Sequence, residues 1–307
     1  MANAAPPLPD GGLSELLCDV RRIEAESGRF VASLMAGAWR SRFRGQGLEF
    51  EEVREYVAGD DPRAVDWNVT ARFGRPFVKQ FVDERERALL FVLDRTASME
   101  GSAWAGRPRR AAARVVASLA LAACSDHDRS GLLACGPRAD HFVRPQAGRA
   151  AALRLVRDTL ALPAQPGRAA LAEALGAAAT RLPAGSIVVL LSDFADDGWR
   201  TPALRCAARH DVIAVRLAAE ELPPPAAGLV VLADPDHGGR RLVDCASTKV
   251  RAAAAAQVAQ ARERWHAQAR EAGLDRLELP VADSARKELA LRLFAFFQGR
   301  ALRAVRR

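Results

Sequence analysis

Strand-like and helical patterns of apolar residues alternate along most of this chain. Short, nearly continuous apolar runs are typical of buried parallel strands. They occur at 88–93, 131–135, 186–191, 212–217 and 277–279, with a further short strand at 140–144. Helical spacing separates them, at about 108–124, 147–161, 168–181, 201–209, 249–272 and after Asp283 or Ser284, either of which can cap the last helix. This alternation predicts an α/β fold, in which helices cover both faces of a mostly parallel sheet.

Changes in the pattern divide the chain into four segments. They are a flexible tail at 1–12, a small N-terminal module of helix and strands at 13–86, the α/β domain at 87–300 and a basic tail at 301–307. In the N-terminal module, strand-like segments near 46–50 and 76–82 flank a stretch from Arg54 to Arg72 that is too rich in turn residues to be one element. Within the α/β domain, 228–233 and 241–243 predict a small hairpin.

Composition and charge exclude several classes of protein. Of 307 residues, 50% are hydrophobic and 27% are charged, which supplies a core and excludes a disordered, collagen-like or coiled-coil chain. Two arginine runs account for the net charge of +8. They consist of Arg107, Arg109, Arg110 and Arg114, and of Arg300, Arg303, Arg306 and Arg307. Because a protein that coats nucleic acid usually shows a broader basic stripe, nucleic-acid binding is the least favoured function.

The cysteine and histidine positions predict neither a disulfide framework nor a zinc site. The five cysteines are widely spaced, without a Cys-x-x-Cys pair, and the five histidines lack the spacing of metal ligands. No run reaches the roughly 18 apolar residues that cross a bilayer, and the first dozen residues lack the regions of a signal peptide. We therefore expect a cytoplasmic protein without direct membrane insertion.

Two of the predicted strands end on acidic residues. Asp94 follows one apolar run and Asp193 follows another, and ligands of open parallel sheets bind beyond the carboxyl ends of the strands. Thr96 and Ser98 alternate with Asp94, so a carboxylate and two hydroxyls can face one point, and such oxygens suit a hard cation such as Mg²⁺. The alternative is that the hydroxyls only satisfy backbone donors of the turn and cap the next helix.

Two motifs resemble those of known families. The segment Asp94-Arg95-Thr96-Ala97-Ser98-Met99 resembles the metal-ion-dependent adhesion site of von Willebrand factor A domains. More distinctive is the segment 54–67, continuing to 70–72, which is similar to the signature of the bacterial domain-of-unknown-function-58 family. The likeness spans about residues 13–300. It implies a von Willebrand factor A-like, Rossmann-like α/β fold, and a metal site formed by Asp94, Thr96, Ser98 and Asp193.

One loop departs from the pattern of A domains. Their metal site takes a further hydroxyl, usually of threonine, from a loop between the two acid-bearing strands, and the corresponding loop here, 165–171, contains none. Water could replace that ligand at reduced affinity for the cation. Alternatively, the guanidinium of Arg168 could enter the site and neutralise Asp94 and Asp193 without a metal. The sequence does not decide between Mg²⁺ and this arginine.

The signature segment supplies a candidate binding patch of polar and aromatic residues, namely Arg54, Tyr56, Asp60, Arg63, Asp66, Trp67 and Arg72. Opposite charges close enough to pair, with Trp67 as an apolar anchor, favour a polar staple between the N-terminal module and the α/β domain. A binding or catalytic patch is the alternative, because paired carboxylates perform acid–base chemistry. No nucleophile, histidine or phosphate loop accompanies these carboxylates in the sequence.

The first arginine run follows the Asp94 motif and is expected at the same edge of the sheet. Arg107, Arg109 and Arg110 lie in the loop and first turn of the next helix, where cations oppose the helix dipole. Solvated arginines are one interpretation of this run. The other is that Arg109 and Arg110 meet an acidic surface of a protein partner.

These observations favour a non-enzymatic protein-interaction module. In A domains, a carboxylate of the ligand completes the coordination shell of the metal, and the resemblance implies such binding here, through a degenerate metal-ion-dependent adhesion site. It also implies a MoxR-type AAA+ ATPase as partner, with this protein as an adaptor in assembly of, or metal insertion into, a client protein complex. The alternative is a metal-dependent hydrolase that uses Asp60, Asp66, Asp94 and Asp193.

Overall fold

A computed structural model describes residues 50–57, 65–81, 88–102, 104–125, 127–219 and 222–305, together with Cys18, 21–23 and Ala25. The strands are β1 (Phe50–Glu55), β2 (Phe77–Phe81), β3 (Ala88–Asp94), β4 (Arg129–Cys135), β5 (Ala139–Gln146), β6 (Ile187–Ser192), β7 (Asp211–Arg216), β8 (Leu229–Ala233), β9 (Arg240–Asp244) and β10 (Asp275–Glu278). The α-helices are α1 (Trp67–Phe73), α2 (Pro108–Ser125), α3 (Arg149–Ala161), α4 (Leu171–Arg181), α5 (Arg200–Ala207), α6 (Thr248–Glu271) and α7 (Arg286–Val305).

Six of these strands form one central sheet in the order β10-β7-β6-β3-β4-β5. All neighbouring pairs are parallel except β4 and β5, which are antiparallel. Leu89 of β3 lies opposite Ile187 of β6, and the register continues without interruption to Leu93 and Leu191. The carboxyl ends of β3 and β6 therefore meet at one edge of the sheet, with Asp94 and Asp193 directly beyond the last paired residues.

Helices cover both faces of this sheet, and β3 shows why. Its seven residues are all buried, with Leu89, Phe91 and Leu93 in the core on one face and Ala88, Leu90 and Val92 in the core on the other. The first core contains residues of α2, α3 and α7, and the second contains residues of α4, α5 and α6. Burial of a large aliphatic or aromatic side chain stabilises the fold by roughly 1.5–3 kcal/mol. The predicted α/β fold, with a mostly parallel sheet and helices on both faces, is confirmed.

The N-terminal module contains the antiparallel pair of β1 and β2, with α1 between them in sequence. The sequence predicts the two strands near these positions but no single element between Arg54 and Arg72, where the structure has α1. The helix begins because the side chain of Asp66 accepts hydrogen bonds from the N–H groups of Asn68 and Val69. It ends at Gly74, whose φ of 68° is the left-handed conformation that favours glycine. Most of 13–49 lies outside the described residues.

The strands β8 and β9 form a separate antiparallel hairpin that does not pair with the central sheet. This hairpin is close to the one predicted at 228–233 and 241–243. Three of its apolar side chains are more than half exposed, namely Leu229, Val231 and Leu242. In the described part of the chain, no helix combines the length and the apolar character needed to cross a membrane.

The last helix changes the interpretation of the C-terminal arginines. Arg300 is only 1% exposed, and its guanidinium donates to Asp211 at the start of β7 and pairs with Asp275 at the start of β10. The helix α7 continues to Val305, five residues past the domain limit expected at residue 300. Arg300 therefore belongs to the packed domain, and residues 301–305 extend a helix where the sequence suggests a basic tail.

Candidate functional site

The loop after β3 holds its carboxylate and two hydroxyls in one hydrogen-bonded chain. Asp94 Oδ1 accepts from the backbone N–H of Thr96, over 2.9 Å, and from its hydroxyl, over 2.6 Å. The hydroxyl oxygens of Thr96 and Ser98 lie 3.1 Å apart. Asp94 and Thr96 are almost fully buried, whereas Ser98 is half-buried. The loop thus presents its oxygens toward a partly open edge of the sheet, as the alternating sequence predicts.

Ser192, the last residue of β6, and Asp193, which follows it, add a hydroxyl and a carboxylate beside this loop. Ser192 donates its hydroxyl proton to Asp94 Oδ2 over 2.6 Å, and the nearby hydroxyl of Ser98 lowers the pKa of the Asp193 carboxyl. Asp193 Oδ1 accepts from the N–H of Ala195. Asp94, Thr96 and Ser98 are therefore joined by hydrogen bonds or hydroxyl contacts, and Asp193, the fourth residue predicted to bind a metal, lies beside Ser98. We call these four side chains the oxygen cluster.

The residue after Asp193 has a strained backbone conformation, which orients the turn that carries Asp193. Phe194 has a φ of 55°, which is uncommon for a residue other than glycine. Its N–H donates to the hydroxyl of Ser192, and its ring packs against Trp199 and Trp265, with centroids 4.9 and 5.7 Å away. Strain of this kind persists only where the surrounding packing holds it, and it concentrates at functional sites. The aromatic anchor of this turn is a residue that sequence reasoning missed.

Burial and neighbouring carboxylates raise the pKa of both acids in the oxygen cluster. Burial is the main cause that raises the pKa of Asp94 to about 7, and the charge of Asp193 adds to it, against hydrogen bonds from Ser192 and Thr96. Burial likewise raises the pKa of Asp193, and the carboxylates of Asp236 and Asp196 add to it. Among the described residues, no lysine or arginine forms an ion pair with either carboxylate. A bound cation would relieve this accumulation of negative charge.

The loop 165–171 contacts the oxygen cluster through its backbone. Gln165 pairs with Thr96 as a parallel bridge, its N–H donating to the carbonyl of Arg95 and its carbonyl accepting from Ala97. The side chain of Arg168 is 78% exposed and lies 3.4 Å from Asp196. The suggestion that Arg168 enters the site and neutralises Asp94 and Asp193 is therefore corrected, because Asp196 draws this guanidinium to the surface.

A third carboxylate, from the hairpin, contacts the loop after β3. Asp236, between β8 and β9, accepts hydrogen bonds from the N–H groups of Ala97, over 2.8 Å, and Ser98, over 3.3 Å. Nothing in the local pattern around residue 236 places it beside Ser98, more than 130 residues earlier. The available signal is indirect, because the hairpin follows β7, whose carboxyl end lies at the same edge of the sheet as the oxygen cluster.

The chemistry of the oxygen cluster fits a hard cation. Asp94, Thr96, Ser98 and Asp193 offer carboxylate and hydroxyl oxygens, which are the ligands that Mg²⁺ prefers, with water filling the remaining positions. In the part of the chain that the structure describes, no three histidine, cysteine or acidic side chains converge as a chelate. A cation here would thus depend on two carboxylates together with the hydroxyls.

A pocket of about 300 Å³ opens directly beside the oxygen cluster. Ser98 and Asp193 line one side, and α6 lines another with residues that include Arg264 and Gln268. Two arginines, the exposed Arg264 and the buried Arg216, line this pocket together with the carboxylates of Asp193 and Asp197. The arrangement leaves room for a side chain of a partner to approach Ser98 and Asp193.

Most arginines of the run after the Asp94 motif form contacts with other residues of the domain. Arg109 is 5% exposed, donates to the carbonyl of Leu162 and lies 3.1 Å from Glu100. Arg110 lies 3.9 Å from Asp283, and Arg114 is buried and donates to the same carboxylate. Because these contacts are internal, the expectation that Arg109 and Arg110 meet an acidic partner is corrected for Arg109, which lies in the domain interior. Arg110 is partly exposed.

The structure places the signature residues in the N-terminal module. Asp66 caps α1, and this use of its carboxylate weakens the hydrolase alternative that counts it as an acid–base group. Trp67 is 72% exposed, which corrects its expected role as an apolar anchor. Tyr56 is half-buried with its N–H bonded to the carbonyl of Pro76, Arg72 is exposed in the last turn of α1, and the backbone of Arg54 lies in β1. Asp60 and Arg63 lie outside the described residues.

Comparison with known proteins adds a family match. A family profile described as "Protein of unknown function DUF58" matches residues 52–264, more than half of the chain. Uncharacterized proteins of Mycobacterium bovis and of Mycobacterium tuberculosis H37Rv are each 30% identical to this chain over 228 residues, which cover 73% of this chain and 72% of theirs. The matched range contains both halves of the oxygen cluster and the hairpin.

Two solved structures from Bacteroides species were also found. An aerotolerance-related membrane protein of Bacteroides fragilis is 15% identical, covers 67% of this chain and 98% of its own, and has a TM-score of 0.43. The conserved hypothetical protein BatB of Bacteroides thetaiotaomicron is 13% identical, covers 68% of this chain and 98% of its own, and has a TM-score of 0.36.

Proposed function

The chain belongs to the DUF58 family of proteins of unknown function, and we propose that it is a non-enzymatic interaction module that binds a partner protein through a divalent cation. The oxygen cluster at the carboxyl ends of β3 and β6 is the site. The observation that carries this proposal is the convergence of four oxygen-bearing side chains at the ends of two neighbouring strands. Asp94, Thr96 and Ser98 are joined by hydrogen bonds and hydroxyl contacts, and Asp193 lines the same pocket as Ser98.

Some residues at this site would bind the cation directly, and others orient those ligands. Asp94, Thr96, Ser98 and Asp193 would supply the protein oxygens, and Mg²⁺ would supply an open position for an oxygen of the partner. Ser192 orients Asp94 by its hydrogen bond, and the backbone turn at Phe194 orients Asp193. Because this cluster lies on rigid strand ends and is partly open, it is suited to binding a carboxylate that arrives from another protein.

For the partner, we propose a MoxR-type AAA+ ATPase, with this protein as an adaptor in assembly of, or metal insertion into, a client protein complex. The support is the resemblance of the signature segment to this family, whose members are often associated with such ATPases. The pocket beside Ser98 and Asp193 gives an acidic side chain of the ATPase a route to the cation.

Binding of a purified MoxR-type AAA+ ATPase to the immobilised full chain tests this proposal. Asp94→Asn removes one charge from the oxygen cluster, whereas Asp128→Asn makes the same change just before β4, at the opposite edge of the sheet. We expect wild type and Asp128→Asn to bind in Mg²⁺, and Asp94→Asn or chelation with EDTA to weaken binding at least about tenfold, the loss of one charge-assisted contact. Equal binding by Asp94→Asn would place the contact elsewhere.

A further inference from the structure

The hairpin that connects to the site carries one residue that differs from its neighbours. Between Ala233 and Leu242, Asp236 is half-buried while every other residue is exposed. Its carboxylate contacts the N–H groups of Ala97 and Ser98, which lie within the oxygen cluster's own loop. The tip is therefore held to the domain by this carboxylate.

The conformation of the tip directs Asp236 toward the loop. The side chain of Asp234 accepts hydrogen bonds from the N–H groups of Asp236 and His237, both over 2.9 Å. Across the turn, the N–H of Asp234 donates to the carbonyl of Gly239, and that of Gly238 donates to the carbonyl of Asp234. The turn is thus closed by its own hydrogen bonds, and Asp236 is free to make contacts outside the turn.

The strands of the hairpin are only partly covered. They form no ladder with the six-stranded sheet, and on their covered face Val243 is buried while Val230 and Leu232 are half-buried. Leu229, Val231 and Leu242 are 59–69% exposed. Displacement of the tip would consequently break few apolar contacts, and the hydrogen bonds of Asp236 would be its main cost.

We infer that Asp236 is an intramolecular latch, whose carboxylate lies beside the oxygen cluster and repels an acidic side chain of a partner until the hairpin is released. This inference rests on the proposed function, because the latch competes for that same site. A partner carboxylate that approaches Ser98 and Asp193 would be repelled by the carboxylate of Asp236, which already acts electrostatically on Asp193. Release of the hairpin removes that charge and exposes the N–H of Ser98.

Hydrogen exchange of the Ser98 amide tests the contact without any metal. Ser98 is the better reporter, because the N–H of Ala97 also donates to the carbonyl of Gln165 over 3.0 Å. In the full chain with EDTA, we expect Asp236→Ala to accelerate exchange at Ser98 about tenfold, as for the loss of a hydrogen bond to a charged group. The control Asp244→Ala, at the other end of the same hairpin, should leave it unchanged. Unchanged exchange in Asp236→Ala would overturn the latch.

Competition is tested with a peptide copy of the tip. The probe is a peptide of residues 232–241, cyclised through cysteines added at its ends, whose binding is measured by fluorescence anisotropy in Mg²⁺. We expect it to bind the Asp236→Ala chain at least tenfold more tightly than wild type, and an Asp236→Asn peptide to lose this binding. Equal affinity for the two chains would contradict the latch.

The two proposals fail separately. In one outcome, wild type binds no Mg²⁺, but Asp236→Ala accelerates exchange at Ser98 and gains peptide binding in the presence of EDTA. The latch proposal is then supported and the proposed cation site is wrong. If Mg²⁺ binds through Asp94 while exchange and peptide affinity are the same in Asp236→Ala and wild type, the cation site stands and the latch is wrong.

Discussion

Ser192 donates its hydroxyl proton to Asp94 Oδ2 over 2.6 Å, and this bond ties the last residue of β6 to the last residue of β3. The same hydroxyl accepts from the N–H of Phe194, so the turn that carries Asp193 is fixed relative to Asp94. One serine thus sets the spacing of the two carboxylates that would share a cation. Because this arrangement buries ionisable carboxyl groups, the stability of the fold is expected to depend on pH.

The first prediction concerns stability without metal. Burial raises the pKa of Asp94 to about 7 from an ordinary value of 3.8. The folded state therefore holds this proton more tightly than the unfolded state, and the stability that the group contributes below pH 4 is lost as the pH rises toward 7. The Asp94→Asn variant is the reference, because its side-chain amide stays neutral over this pH range.

Thermal unfolding of both proteins in EDTA at pH 5, 6, 7 and 8 checks this dependence. We expect the melting temperature of wild type to fall relative to that of Asp94→Asn from pH 5 to 7, and the difference to level off toward pH 8, where the folded state has also lost the proton. The slope is limited to about 1.4 kcal/mol per pH unit for a single proton. Parallel curves for the two proteins would show that the pKa of Asp94 is not raised.

A second prediction separates buried from exposed arginine in the run after the Asp94 motif. Arg109→Met removes the donor to the buried carbonyl of Leu162 and the charge beside Glu100. We expect a loss of about 1–3 kcal/mol in the free energy of unfolding, measured by urea denaturation. Arg107→Met, on an exposed side chain two residues earlier, should change it by less than about 0.5 kcal/mol. Similar losses for both would contradict the internal role of Arg109.

A third prediction uses two glycines with the same backbone conformation. Gly106 and Gly148 both have a φ of 98°. A Cβ at Gly106 would lie 2.6 Å from the carbonyl oxygen of Val281 and 2.7 Å from the nitrogen of Ala282, whereas at Gly148 it meets nothing within 4 Å. Because both variants bear the cost of positive φ, their difference isolates the steric clash. Gly106→Ala should be less stable than Gly148→Ala by at least about 1 kcal/mol in urea denaturation, and equal losses would contradict the close packing.

Much of the sheet and half of the site could be predicted from the sequence, for a local reason. The apolar runs that become β3 and β6 are buried on both faces, so they are continuous and stand out, and the acids that end them fall at one edge because the strands are parallel. The alternation of Asp94, Thr96 and Ser98 is likewise visible in five residues. These features depend on neighbours in sequence.

The features that could not be predicted depend on long-range contacts. Asp236 reaches Ala97 only because the hairpin folds over the edge of the sheet, and no local pattern records that contact. Arg109 and Arg300 have the sequence context of surface charges, yet carbonyl and carboxylate partners distant in sequence bury them. Trp67 shows the reverse case, since an aromatic residue at the start of α1 is exposed. Sequence patterns identify charged and hydrophobic residues, but contacts with residues distant in sequence decide which of them are buried.

Calorimetric titration of the full chain with Mg²⁺ at pH 8, above the pKa of Asp94, tests the cation site most directly. The account predicts that wild type and Asp128→Asn bind one ion, and that Asp94→Asn binds it at least about tenfold more weakly, because a charge-assisted contact is lost. Binding that is equal in wild type and Asp94→Asn, or no binding to wild type, would contradict a cation site at the ends of β3 and β6.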